Sequence, residues 1–115
     1  MITDFNLSSE LKGNSLVMKT SGYINNVAGE QISEEFTKHK DGGIKKVIMD
    51  LLESKVVNSI GISYLIEIIE KLNDSKGKLY FMNLDPTIEK TFSIMGLFQF
   101  AEKTDSVFFV FGKFL

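Results

Sequence analysis

The spacing of apolar residues changes several times along the chain, and each change marks an element. From Phe5 to Leu11 the apolar residues Phe5, Leu7 and Leu11 alternate imperfectly, with a break at Ser9. Lys12-Gly13-Asn14 supplies turn residues, and Ser15 to Thr20 carries a second strand on Leu16, Val17 and Met18. The two predict a hairpin. Gly22 then punctuates the chain. From Asn26 to about Lys40, Ala28, Ile32 and Phe36 recur every four positions, with Glu30, Glu34, Glu35 and Lys38 between them. That spacing is one amphipathic helix, stopped by Asp41-Gly42-Gly43.

Lys45 to Leu52 reads as a strand buried on both faces, because Val47-Ile48-Met49 and Leu51-Leu52 form a nearly continuous apolar run. Val56-Val57 reads as a short extension of the strand pattern. A second helix is expected from about Ile60 to Asn73, ending near Gly77. At about 100° per residue, Ile62, Leu65, Ile66, Ile69 and Leu72 fall on one stripe. Ser63, Glu67, Glu70, Lys71 and Asp74 lie opposite, with Ile60 on that polar side and Tyr64 at its edge. Lys78 to Leu84 is a further strand. Asp85-Pro86 starts a third helix, since Asp can cap and Pro suits the first helical position. Ile88, Phe92 and Met95 form its buried stripe and Gly96 ends it.

Strands alternating with helices imply an α/β fold with crossover connections. The opening hairpin makes the sheet mixed, with four to five strands and three to four helices in one domain spanning 1–115. The segment Ser106 to Leu115 is apolar and β-prone, and six of the ten Phe lie between Phe98 and Phe114. Packing against the sheet is one reading of this Phe-rich C-terminus, and a homodimer surface is the other.

Charge and composition narrow the function. The 115 residues carry 13 basic against 15 acidic groups, a net charge of -2, which lacks the basic excess of a nucleic-acid protein. All the basic residues are Lys, so bidentate Arg clamps are absent. With no Cys there is no disulfide, thiolate ligand or thiol nucleophile. The single His39, between Lys38 and Lys40, has no second His or Cys to join it around zinc. Neither Gly-rich phosphate loop occurs, and Asp41-Gly42-Gly43 precedes a strand rather than a helix. No signal-peptide pattern and no apolar run of membrane length are visible. A cytoplasmic, non-enzymatic protein without cofactor, metal, nucleic acid or membrane partner is expected.

The informative stretch is Val47-Ile48-Met49-Asp50-Leu51 followed by Asn58-Ser59-Ile60-Gly61. A buried strand ends, and a small hydroxyl residue then stands at the mouth of a helix, with Asn58 or Ser59 as the natural N-cap. A Ser in such a place is often only a cap. Here, however, Ile60 projects onto the polar side, so Ser59 should open onto a small apolar spot beside acidic groups. Such a surface suits docking better than catalysis.

These segments resemble the STAS domains, in particular the bacterial anti-sigma factor antagonists. The resemblance runs through Gly22-Tyr23-Ile24-Asn25, Val47 to Asp50, Asn58-Ser59-Ile60-Gly61, Asn83-Leu84-Asp85-Pro86 and Met95-Gly96-Leu97-Phe98. It implies a STAS fold and a protein-binding module in a partner-switching pathway. Its partner would be an anti-sigma factor that is also a GHKL-type serine kinase, with a serine phosphatase reversing the modification. Carried over by position, Ser59 is the phosphoacceptor, and Asn25, Asn58, Ser59, Ile60, Gly61 and Tyr64 form the partner-binding set. The chain departs from the family pattern at three places. Asn58 and Asn25 stand where the family has carboxylates, and Ile60 replaces a second hydroxyl. Those amides favour an alternative, a STAS scaffold that is never phosphorylated and serves a signalling or transporter-associated complex. A small enzyme of flavodoxin-like shape is the third reading, and the missing motifs count against it.

Overall fold

A computed structural model describes residues 5–105. Strands β1 (Asn6–Lys12) and β2 (Ser15–Ser21) form the opening hairpin, followed by helix α1 (Asn26–Lys40), strand β3 (Lys46–Glu53) and helix α2 (Ser59–Asp74). Strand β4 (Lys78–Met82), helix α3 (Pro86–Ile94), a short 3-10 turn (Leu97–Gln99) and strand β5 (Ala101–Thr104) complete the order. The sheet runs β1-β2-β3-β4-β5, with β1 antiparallel to β2 and every later pair parallel. This is the expected mixed α/β sheet, with five strands and three α-helices among the described residues.

Three successive crossovers step across the sheet in one direction. Because such crossovers share one hand, their helices fall on the same face. The main core lies there: Met18, Met49 and Phe81 are in register across β2, β3 and β4, and Ile32, Phe36, Leu65, Ile69 and Phe92 pack over them. The preceding residue on each strand points the other way, so Val17, Ile48 and Tyr80 form a smaller cluster with Met82 on the opposite face.

The elements end where local chemistry requires. Gly22 takes φ 97°, in the left-handed region that glycine enters without a Cβ penalty, and turns the chain out of β2. β4 stops at Met82, two residues short of the sequence expectation, because Asn83 adopts φ 61° and donates its amide to Asp50 at 2.9 Å. Asp85 caps α3 by accepting from Thr87 N at 3.0 Å, with Pro86 in the first turn; the helix ends at Ile94, so Met95, expected in the buried stripe, is the C-cap and stands exposed before Gly96. β5 was not visible in the sequence. Its four residues, Ala101-Glu102-Lys103-Thr104, alternate too briefly to separate from a loop. Ser106 to Leu115 lies outside the described residues, and with it the expectation placed on that segment.

Candidate functional site

Two loops build the site, and both leave the carboxyl ends of parallel strands. The β2–α1 loop and the β3–α2 loop run side by side and are zipped by backbone hydrogen bonds. Ile24 N donates to Val56 O at 3.0 Å and Asn58 N donates to Ile24 O at 3.1 Å, so Ile24 and Val57 form a one-residue parallel bridge. Gly22 N donates to Glu53 O at 3.0 Å, and the buried hydroxyls of Thr20 and Ser54 meet at 2.7 Å behind it. Val56-Val57 therefore continues the strand pattern only as this bridge.

The zipper holds the starts of α1 and α2 together. Asn25 caps α1 by accepting from Ala28 N at 3.0 Å, and Asn58 caps α2 by accepting from Gly61 N at 2.8 Å. Asn25 and Asn58 thus have a structural task, which an amide oxygen performs as well as a carboxylate would. Gly61 allows the close approach: a Cβ there would stand 2.4 Å from Ile24 O. Sequence reading left the cap of α2 open between Asn58 and Ser59. Asn58 holds it, which leaves Ser59 as the first helical residue, exposed, its hydroxyl without a partner among the described residues.

The loops and helix starts that carry Ser59 also expose apolar side chains. Val27 and Ile60 occupy the same place in the first turns of their helices, and they are 55% and 52% exposed. Val56 and Tyr23, on the two zipped loops, are exposed as well. Four exposed apolar side chains thus share with the Ser59 hydroxyl the two zipped loops and adjoining helix N-termini, whose dipoles and free N–H groups favour an anion. A cleft of about 210 Å³ adjoins Val56 and Val57, with Ile62, Ile88 and Phe92 in its walls.

Tyr64 lies at the edge of the polar side of α2, as expected, and outside the buried core clusters. The ring is half-buried against α1, where a Cβ on Gly29 would lie 2.4 Å from Tyr64 Cδ2. It packs α1 and α2 against each other, a contact that the spacing along α2 does not show. The α2 stripe also shifts slightly: Ile68 is buried and Ile66 only partly so. The structure thus brings together Asn25, Asn58, Ser59, Ile60 and Gly61, and sets Tyr64 one turn behind them.

Tyr23, Val27 and Val56 were not singled out by sequence. Val27 had a signal, since it falls off the Ala28–Ile32–Phe36 stripe. Tyr23 and Val56 sit in loops, where periodicity carries none. Among the described residues no group of three His, Cys, Asp or Glu could hold a metal ion, and no helix is long and apolar enough to cross a membrane.

Comparison with known proteins gives a consistent set of matches. The model of the STAS domain family matches residues 6–108. BtrV of Bordetella bronchiseptica, named as a candidate anti-sigma factor antagonist, is 26% identical over 81 residues, 70% of each chain. Among solved structures, the anti-sigma factor antagonist SpoIIAA in its unphosphorylated form superposes with a TM-score of 0.71 at 21% identity, covering 90% of both chains. The phosphorylated form of SpoIIAA, from Bacillus, gives 0.74 at 19% identity over 96% of this chain and 98% of that one. A Thermotoga maritima protein, also named as a candidate antagonist, gives 0.82 at 12% identity over 93% and 92%.

Proposed function

The chain belongs to the STAS domain family, and on that premise we propose that it is an anti-sigma factor antagonist-like binding module whose docking surface is switched by phosphate on Ser59. The observation that carries the reading is the exposed Ser59 hydroxyl at the first position of a capped helix, on loops and helix starts that also expose Val27, Val56 and Ile60. The module sequesters an anti-sigma factor of the GHKL serine-kinase type, which modifies Ser59, and a serine phosphatase restores the hydroxyl. That partner places its action in the bacterial cytoplasm. It is a binding partner and a kinase substrate, not an enzyme.

The physics of the switch is local. A phosphate at the start of α2 meets free N–H groups and the positive end of the dipole, so it does not unfold the domain. It adds about −1.5 to −2 charges among apolar side chains. A partner that desolvates Val27, Val56 and Ile60 must then also desolvate that charge, and binding is lost without a large change of shape.

Asn25 and Asn58 support a second reading, a scaffold that binds constitutively. Neither cap contributes a negative charge to attract a kinase's cations. Incubation with a purified family kinase and ATP, with the phosphosite mapped by mass spectrometry, separates the two. The switch predicts phosphate on Ser59, none in Ser59→Ala, and faster incorporation in Asn58→Asp, which keeps the cap and adds the charge. No incorporation in either wild type or Asn58→Asp leaves the scaffold as the account.

A further inference from the structure

A second apolar surface lies at the far end of α2, roughly 16 Å along the helix from Ser59 at about 1.5 Å per residue. A groove of about 460 Å³ runs between the last turns of α2 and the turn after α3. Its buried walls are Ile69 and Leu97, with Ile66 partly exposed between them and Phe100 exposed at its rim. Beside it, at the end of α3, Ile94 stands 75% exposed, the most exposed of the large apolar side chains among the described residues, and Met95 next to it also lines the groove. A socket and a protruding apolar knob therefore share one patch.

The charges are arranged in the same way. Glu70 and Asp74 line the groove from α2, and neither has an ion pair among the described residues. Lys90 lies one turn before Ile94 on α3 and likewise has none, the neighbouring Glu89 being held by Lys103 at 2.5 Å. Helical neighbours four apart share a face, so Lys90 and Ile94 project together. The patch thus carries a knob with a cation and a socket with two anions. A foreign basic helix would use only the socket and its acids. A second copy of this chain uses all four features, because a two-fold contact places each feature against its complement.

We propose that this surface is a two-fold contact between two copies of the chain, with Ile94 of each copy seated in the groove of the other and Lys90 facing Glu70 and Asp74 across the axis. The contact leaves the Ser59 surfaces free, so the dimer presents two docking sites at once. It is independent of what becomes of Ser59: wild type and Ser59→Asp should associate equally.

Sedimentation equilibrium of the full chain over a wide concentration range tests it. Wild type should dimerise reversibly. Ile94→Asp, or the milder Ile94→Ser, should raise the dimer dissociation constant at least about tenfold while circular dichroism and the thermal midpoint stay at wild-type values. Glu70→Lys with Asp74→Lys should weaken the dimer by setting lysines against Lys90, and adding Lys90→Glu to the same chain should restore it. A chain that stays monomeric at millimolar concentration overturns the proposal. So does a dimer indifferent to Ile94→Asp and to the charge swap, or one lost only when Phe109 or Phe111 is substituted, which would put the contact in the C-terminal segment. A monomer whose groove instead takes up a Lys-flanked amphipathic peptide would show a foreign helix as the occupant.

Discussion

Replacing Gly61 by Ala tests how the two loops build the site, because two effects of opposite sign compete there. Gly61 is in the first turn of α2, and helix propensity alone favours Ala by up to about 1 kcal/mol. Against that, the new Cβ would stand 2.4 Å from Ile24 O and 3.0 Å from Ile24 Cγ2. The nearer atom is backbone, so no side-chain rotation relieves it and the β2–α1 loop must move. Overpacking of this kind costs about 1–3 kcal/mol. Moving the loop also strains the two bonds Ile24 makes across the zipper, worth about 1 kcal/mol each. The unfavourable terms total about 3–5 kcal/mol, and the net expectation is destabilisation by about 2–4 kcal/mol, a large share of the roughly 5–15 kcal/mol a domain has. Urea denaturation should show a lower midpoint with an unchanged m-value, and the amides of Ile24 and Asn58 should exchange faster. A Gly61→Ala chain as stable as wild type, with both amides still protected, would mean that the loops are not held against each other as described.

Tyr64→Ala should cost about 2 kcal/mol, part of the toll for a fully buried aromatic, and Gly29→Ala should lose much of its own cost in that background, a coupling that a double-mutant cycle measures. Ile60→Asp should leave the thermal midpoint within experimental error, since Ile60 is exposed, while partner capture falls; a large drop in stability would make Ile60 a folding residue. The Ser9 hydroxyl, which donates to Glu35, is the main cause that lowers the Glu35 carboxyl below its ordinary value, with Lys38 and His39 adding to it. A depressed carboxyl contributes stability above the unfolded value, 4.5, and loses it as pH falls through the native one. Glu35→Gln and Ser9→Ala should therefore both flatten the acid limb of stability measured below pH 4.5; an unchanged limb in both would refute the linkage.

Much of the fold was legible because its signals are local. The Ala28–Ile32–Phe36 repeat, the continuous apolar run of β3 and the Asp85-Pro86 start each give an element without reference to the rest of the chain. The position of Ser59 was legible for the same reason, since a strand end, a capping amide and an apolar stripe fix it within a few residues. What the sequence did not reveal depends on contacts between distant segments. The zipper of Ile24 with Val56 and Asn58 joins two loops, and nothing in either loop names the other. The seating of Tyr64 on Gly29 depends on how α1 crosses α2, so a residue at the edge of a helical wheel became a packing residue. β5 failed for a different reason: four alternating residues on a sheet edge carry too little pattern.

The most direct test of the central claim is a calorimetric titration of an anti-sigma factor kinase from the same genome with three forms of the chain. Wild type and Ser59→Ala should bind with equal affinity, and Ser59→Asp should bind at least about tenfold more weakly, a difference of about 1.4 kcal/mol, with its fold intact. Equal binding by all three forms would contradict the switch at the mouth of α2, and no binding by any of them would contradict the choice of partner.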